Sequence, residues 1–195
     1  MKKLVIMAAF ALSSATMFAQ QAVGTWSVTP KVGMTIANLS GDVVDAKSKI
    51  GLVAGAEAEY QITDMISVTG GLFYSMQGAK SSREVLGERA KMNLDYLNIP
   101  VLCNVYIAKG LAVKLGAQLG INVSAKEKYN KITEDIGDNI EAVDFSIPVG
   151  LSYEYQNFVL DARYNWGLSN IAKASGDESV RNSVFQITLG YKIPF

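Results

Sequence analysis

The sequence contains no histidine, and that absence removes whole classes of chemistry. Ser-His-Asp and Cys-His catalysis both need an imidazole base, and most zinc sites use histidine or several cysteines. The lone cysteine, Cys103, cannot form a disulfide within the chain. Neither sign of charge is in excess, with 18 Lys and Arg against 18 Asp and Glu, so a nucleic-acid partner, which calls for a basic surface, is not expected. Beyond the first twenty residues there is also no apolar run of about eighteen, the length that marks a membrane helix. That last absence says nothing about a barrel, whose signal per segment is weak.

The first residues have a separate logic. "MKKLVIMAAFALSSATMFAQ" opens on Lys2 and Lys3, continues through an apolar run from Leu4 to Leu12, and closes on small residues ending at Ala19. This pattern predicts a secretory signal peptide over 1–19, cleaved after Ala19, and an exported domain over 20–195. No cysteine sits near the cut to carry a lipid anchor. Loss of Lys2 and Lys3 leaves 16 basic against 18 acidic residues, a net charge of −2.

What is abundant is alternation. In "LAVKLGAQLGINV" every odd position from Leu111 to Val123 is apolar, while the even positions are small or polar. A period of two means an extended strand with two different faces. The pattern recurs in "TWSVTPKVGMTIA", "KIGLVAGAEAEYQ", "ISVTGGLFYSMQ", "YLNIPVLCNVYI", "VDFSIPVGLSYEY", "NFVLDARYNWGL" and "SVFQITLGYKIPF". These eight segments run to about eleven to fourteen residues each, longer than the strands of most soluble domains and long enough for a tilted crossing of a bilayer.

The connections alternate in length. Three are tight, near Thr63, Lys109 and Gln156, and four are long and polar, over roughly 38–48, 78–91, 125–141 and 169–181. Short turns on one rim and long loops on the other belong to outer-membrane barrels. The expected fold is all-β: an eight-stranded antiparallel up-and-down transmembrane barrel. Its apolar face meets outer-membrane lipid, and both termini lie on the periplasmic rim. Closure follows because an open edge in hydrocarbon leaves backbone groups unpaired. Aromatics fall where girdles belong: Trp26, Tyr60, Phe158 and Tyr191 near the periplasmic rim, Tyr74, Phe145, Trp166 and Phe185 near the other. The competing fold is a soluble lipocalin-like barrel with its apolar face turned inward. The second face here is Gly, Ser, Thr and Asn with few charges, too bland for a water-exposed surface.

Several stretches resemble the PorT-like family of outer-membrane β-barrels. "LDYLNIPVLCNVY" (94–106) is similar to that family's tyrosine–leucine–acid–isoleucine–proline strand, with Asn98 at the acidic position. "LDARYNWGLSNI" (160–171) resembles its strand with an arginine–tyrosine pair and a glycine–leucine step, and "VTPKVGMTIANLSG" also fits. The resemblance implies an integral outer-membrane location and no cofactor, and it transfers no active site.

By parity the inward positions carry Lys31, Lys49, Glu57, Glu59, Lys114, Asp144, Glu154, Asp161, Arg163 and Lys192, five of each sign. They could form a charged conduit or an ion-pair network that fills the lumen. The network is favoured, because an eight-stranded interior is only wide enough for side chains and buried charges must pair. Lys31, Glu57 and Arg163 are expected nearest mid-height. In the longest loop Glu134, Asp135, Asp138 and Glu141 are weak candidates for a Ca²⁺ site; the spacing is not that of an EF-hand, and Lys126, Lys128 and Lys131 precede them. Residues 81–92, mixed in charge, could form a short helical turn. "GGLFYSMQG" (70–78) lacks the ending of a phosphate loop. Cys103 faces lipid by parity.

Two outward features complete the reading. Ala54, Ala56 and Ala58 share the lipid face of the second strand, with Gly70 expected beside Ala58 across the turn near Thr63. This small-residue face could dock another envelope protein or a second copy. The chain ends "YKIPF", with Tyr191, Ile193 and Phe195 on one face, resembling the signal read by the outer-membrane insertion machinery. The function expected is a non-enzymatic envelope scaffold or binding protein, acting through its long loops or a docking wall. A small-solute channel is the alternative. A soluble ligand-binding barrel and a lipid-modifying enzyme stand behind both.

Overall fold

The computed structural model describes residues 21–41, 46–85, 88–129, 132–173 and 179–195. The expected signal peptide lies outside them. Among the described residues no helix is long and apolar enough to cross a membrane; the elements are strands. They are β1 (Trp26–Gly41), β2 (Ala46–Gln61), β3 (Ile66–Val85), β4 (Glu88–Ala108), β5 (Leu111–Tyr129), β6 (Ile132–Asp135), β7 (Val143–Tyr155), β8 (Phe158–Gly167), β9 (Val180–Tyr191) and β10 (Ile193–Pro194). β6 is a short flap paired only with β5, and β10 continues β9 past Lys192. The eight long strands pair antiparallel with their sequence neighbours, and β1 pairs with β9 to close the ring. This is the closed barrel that the alternation predicts.

Which face looks outward decides between the two barrel types. Val32 is 62 % exposed, Ile50 67 % and Leu52 60 %. Among the fully buried side chains are Arg163, Gln61, Thr35, Thr69 and Asp161. A soluble barrel buries its apolar face; here it is the polar face that fills the interior, so the lipocalin alternative is excluded.

The turns explain the rims. Thr63 Oγ1 accepts bonds from the Met65 and Ile66 amides, closing the β2–β3 turn. Gly110 takes a φ of +71° in the Lys109–Gly110 turn, a conformation that costs glycine least. On this rim Trp26 packs on Tyr60 with ring centres 4.9 Å apart, and Phe158 meets Tyr191 edge-on at 5.3 Å.

On the opposite rim the structure corrects two expectations. The described residues of 81–92 hold no helical turn: β3 and β4 run on as paired strands, with Glu84 opposite Arg89 and Val85 opposite Glu88. The 125–141 connection is not a long open loop either. β5 extends to Tyr129, β6 folds back so that Lys126 faces Asp135, and a 3₁₀ turn spans Gly137–Asn139. Paired strands satisfy the backbone groups that an open loop would leave to water. β3 and β4, at 20 and 21 residues, therefore reach well beyond the length needed for a crossing.

Candidate functional site

Parity directs one side chain in two into the lumen, and the charges there meet across the ring. Lys31 of β1 donates to Glu57 Oε2 at 2.6 Å and to Asp161 Oδ2 at 3.1 Å. Lys114 reaches from β5, on the far side, to Glu57 Oε2 at 3.1 Å and Asp161 Oδ2 at 2.8 Å. Arg163 of β8 donates through Nε to Asp161 Oδ1 at 2.8 Å and through a terminal nitrogen to Glu57 Oε1. Its guanidinium stands over the Phe73 ring, 5.7 Å from the centre. All five charged residues are almost wholly buried. The cluster ties β1, β2, β5 and β8 together and bars the lumen. Lys31, Glu57 and Arg163, expected nearest mid-height, all belong to it.

A second cluster lies towards the periplasmic rim. Lys192 is 2.5 Å from Glu154 Oε2 and 3.0 Å from Glu59 Oε2. Glu59 Oε1 also accepts from the Tyr106 hydroxyl at 2.6 Å and from Ser67 Oγ at 2.5 Å. The central group carries three cations on two carboxylates, the rim group one cation on two. Each excess is the opposite of the other, so the eight residues Lys31, Lys114, Arg163, Lys192, Glu57, Glu59, Glu154 and Asp161 are neutral together. Low dielectric makes that balance necessary.

Two of the ten inward candidates stand apart from these clusters. Asp144 accepts from Ser169 Oγ at 2.7 Å and Asn182 Nδ2 at 2.8 Å. Lys49 donates to the Gln77 carbonyl at 2.7 Å. Above Asp144, at the outer mouth, the lumen turns apolar: Leu39, Ala79, Leu94, Tyr96, Ala125, Ile140 and Ile171 form a buried cluster, with Met92, Ile136 and Val180 against it. The described residues therefore close the lumen twice, by ion pairs at its centre and by an apolar plug at its mouth. Sequence reasoning did not single out the plug. Its signal is that lumen-facing positions become aliphatic where the strands pass the outer girdle.

The remaining candidates are placed as follows. Glu134 and Asp135 are successive residues of β6 and point to opposite faces, while Asp138 sits in the 3₁₀ turn. Asp135 Oδ1 accepts from the Gly137 amide at 2.9 Å. Among the described residues no three carboxylate, cysteine or histidine side chains come together as metal ligands, Glu134, Asp135, Asp138 and Glu141 included. Ala58 lies directly opposite Gly70, and Ala54 and Ala56 continue the row on the outer wall. Added to Gly70, a Cβ would meet nothing within 4 Å. Tyr191, Ile193 and Phe195 all face outward, and the Phe195 amide donates to the Trp26 carbonyl at 2.9 Å. Outside the β1–β9 seam, Pro30, Val32, Phe158, Leu189 and Tyr191 line an apolar depression of about 340 Å³. Cys103 is exposed on the lipid face.

A family model described as "Outer membrane protein beta-barrel domain" matches residues 18–173. The chain belongs to that family, and it is a protein of the cell outer membrane. No curated protein matches. Among solved structures it is similar to Neisserial surface protein A, at 17 % identity and a TM-score of 0.60, over 86 % of this chain and 97 % of that one. It is also similar to Ail, the attachment invasion locus protein of Yersinia pestis, at 19 % identity and a TM-score of 0.53, over 88 % of this chain and 100 % of that one. At such identities the likeness is one of fold.

Proposed function

We propose that this outer-membrane barrel is a non-enzymatic envelope binding protein of the PorT-like group that works from its outer rim. The observation that carries the reading is the double closure of the lumen. A neutral set of buried ion pairs and an apolar plug leave the interior to stability, whereas the β3–β4 hairpin and the β5–β6 flap extend the wall on the outer side. Binding sites sit preferentially on such extensions, held by a rigid scaffold. A chain without histidine also lacks the base that Ser-His enzymes use. The PorT-like assignment is supported by "LDYLNIPVLCNVY" and "LDARYNWGLSNI".

Two measurements test the proposal. Reconstituted in planar bilayers, the protein passes no steady current; a stable conductance would favour the small-solute channel instead. Shortening the β3–β4 hairpin to a tight turn after Gln77 removes cross-linked partners from intact cells while the barrel still inserts. Unchanged cross-links in that variant would refute the outer-rim reading. A docking wall at Ala54, Ala56, Ala58 and Gly70 is the second route to a partner, motivated by the open surface at Gly70.

A further inference from the structure

Past the outer girdle the outward face of the barrel changes chemistry in step on neighbouring strands. On β3 the outward series Leu72, Tyr74, Met76 gives way, past the buried Gly78, to Lys80. On β4, followed towards its start, Val101, Ile99 and Leu97 give way to Asp95, Asn93 and Lys91. On β5, Ile121 and Val123 are succeeded, beyond a register irregularity, by Lys126 and Lys128. The register then aligns the lysines. Lys47 lies opposite Lys80, Lys80 opposite Lys91, and Lys91 opposite Lys128. Four adjacent strands thus carry one continuous row of lysines.

Such a row opposes its own folding. Like charges directly opposite in a sheet repel, and strands about 4.8 Å apart lie inside the screening length of about 8 Å at physiological salt. No ion pair among the described residues offsets the repulsion: those present are of the lumen and include none of the four lysines. The outward acid Asp95 is held by the Tyr74 hydroxyl at 2.8 Å, and Asp135 stands opposite Lys126.

We propose that this row binds the phosphate-bearing headgroups of anionic outer-leaflet lipid. Two observations fix that source of anions rather than a soluble one. The lysines continue the rows that touch lipid, so they face sideways into the leaflet. Their height also fits. Lys80 lies four residues past Met76, about 13 Å along the strand and about 10 Å in height at the usual barrel tilt. That places the ammonium, on its flexible stem, at the headgroup layer bordering the hydrocarbon. The inference needs only the outer-membrane location and is independent of any partner at the hairpins.

The test uses the full mature chain in phosphatidylcholine vesicles that contain a minor share of spin-labelled phosphatidylglycerol or spin-labelled phosphatidylcholine. The parent protein immobilises the anionic label in preference to the neutral one, and added salt weakens that preference. Lys80→Gln and Lys91→Gln each reduce it about fivefold, until in the double variant it vanishes. Stability supplies a sign that a merely structural row would not show. In pure phosphatidylcholine Lys80→Gln, relieved of two like-charged neighbours, unfolds at a higher temperature than the parent; in phosphatidylglycerol-containing vesicles the order reverses. Equal immobilisation of both labels by the parent, or a preference that survives in the double variant, overturns the proposal. So does saturable binding of inorganic polyphosphate that the double variant loses while the parent shows no headgroup preference. That result would assign the row to a soluble polyanion.

Discussion

Replacing Asp161 by asparagine tests whether the central cluster obeys charge balance or merely fills space. Asp161 is wholly buried and accepts from Lys31 at 3.1 Å, Lys114 at 2.8 Å and Arg163 Nε at 2.8 Å. Asparagine keeps the shape and removes the charge, leaving three cations on Glu57 alone. Breaking a buried pair in this way costs about 3–5 kcal/mol. Arg163→Met acts in the opposite sense. It leaves Lys31 and Lys114 on Glu57 and Asp161, an even count within the central group held by contacts of 2.6 to 3.1 Å, and moves the uncompensated charge to the rim group of Lys192, Glu59 and Glu154. Its cost is that of carboxylate oxygens deprived of a donor, about 1–3 kcal/mol. The order is therefore Asp161→Asn worse than Arg163→Met, although arginine is the larger side chain. Combining Asp161→Asn with Lys114→Met restores the original excess of one cation. The double variant should be more stable than the sum of the single changes by about 0.5–3 kcal/mol, the range of coupling between residues in contact. Urea unfolding in lipid vesicles reads these differences through Trp26 and Trp166, which sit on opposite rims. Equal losses for Asp161→Asn and Arg163→Met, or strict additivity in the double variant, would refute the charge-balance argument. A steady current through Arg163→Met would in addition show that the cluster had been holding a conduit closed.

Two further outcomes are expected. Deleting Phe195 removes the outward aromatic side chain and the 2.9 Å hydrogen bond that its amide donates to the Trp26 carbonyl; the protein should then accumulate in the periplasm, and normal membrane insertion of the deletion in cell fractionation would count against an assembly role. Ala56→Trp, in the small-residue face, should abolish any cross-linked complex that uses this wall while heat-modifiable gel mobility is unchanged, and cross-links that survive the added bulk would leave the face as plain lipid contact.

Much of the barrel is legible because its physics is local. Lipid demands an apolar side chain at every second position, so strand, face and girdle follow from parity alone. The Ala58–Gly70 pairing follows as directly, since a tight turn at Thr63 leaves little choice of register. The composition of the lumen is also visible, because inward charges can be counted. Who meets whom is not. Lys114 of β5 reaches Glu57 of β2 only because tilt and stagger bring those levels together across the ring. The Tyr106 and Ser67 hydroxyls on Glu59 escape for the same reason. The outer hairpins are hidden by a different effect. Register shifts between Ser48 and Val53, and between Asp95 and Tyr96, break the alternation just where the strands leave the membrane. Beyond them the inside is aliphatic and the outside charged, which is the opposite sense to the rest of the barrel. A reader following a single parity sees mixed polarity there and assigns loop, or a helical turn over 81–92.

Gly78 marks that change of sense on β3, and it provides the last prediction. Its φ of +115° is one that side-chain-bearing residues rarely adopt. A Cβ there would lie 2.2 Å from the Met92 carbonyl oxygen and 3.2 Å from the Leu94 amide. Both neighbours are backbone of the paired strand, so a rotamer change cannot relieve the clash, and the two strands must part. Gly78→Ala should therefore loosen the hairpin above this point at a cost of about 1–3 kcal/mol, the usual price of a strained backbone site. The damage stops below it. From Ile66 to Gln77 the pairing with β4 lies within the barrel wall, with Tyr74 opposite Leu97 and Val68 opposite Cys103. The variant should thus insert and keep its heat-modifiable mobility, while protease added outside the cell cuts the β3–β4 hairpin faster than in the parent. The apolar plug, which takes Ala79 and Leu94 from these two strands, should loosen with it, increasing the binding of a hydrophobic dye at the outer rim. A hairpin as resistant in Gly78→Ala as in the parent would show that this glycine is not what lets the wall reverse its polarity at the membrane edge.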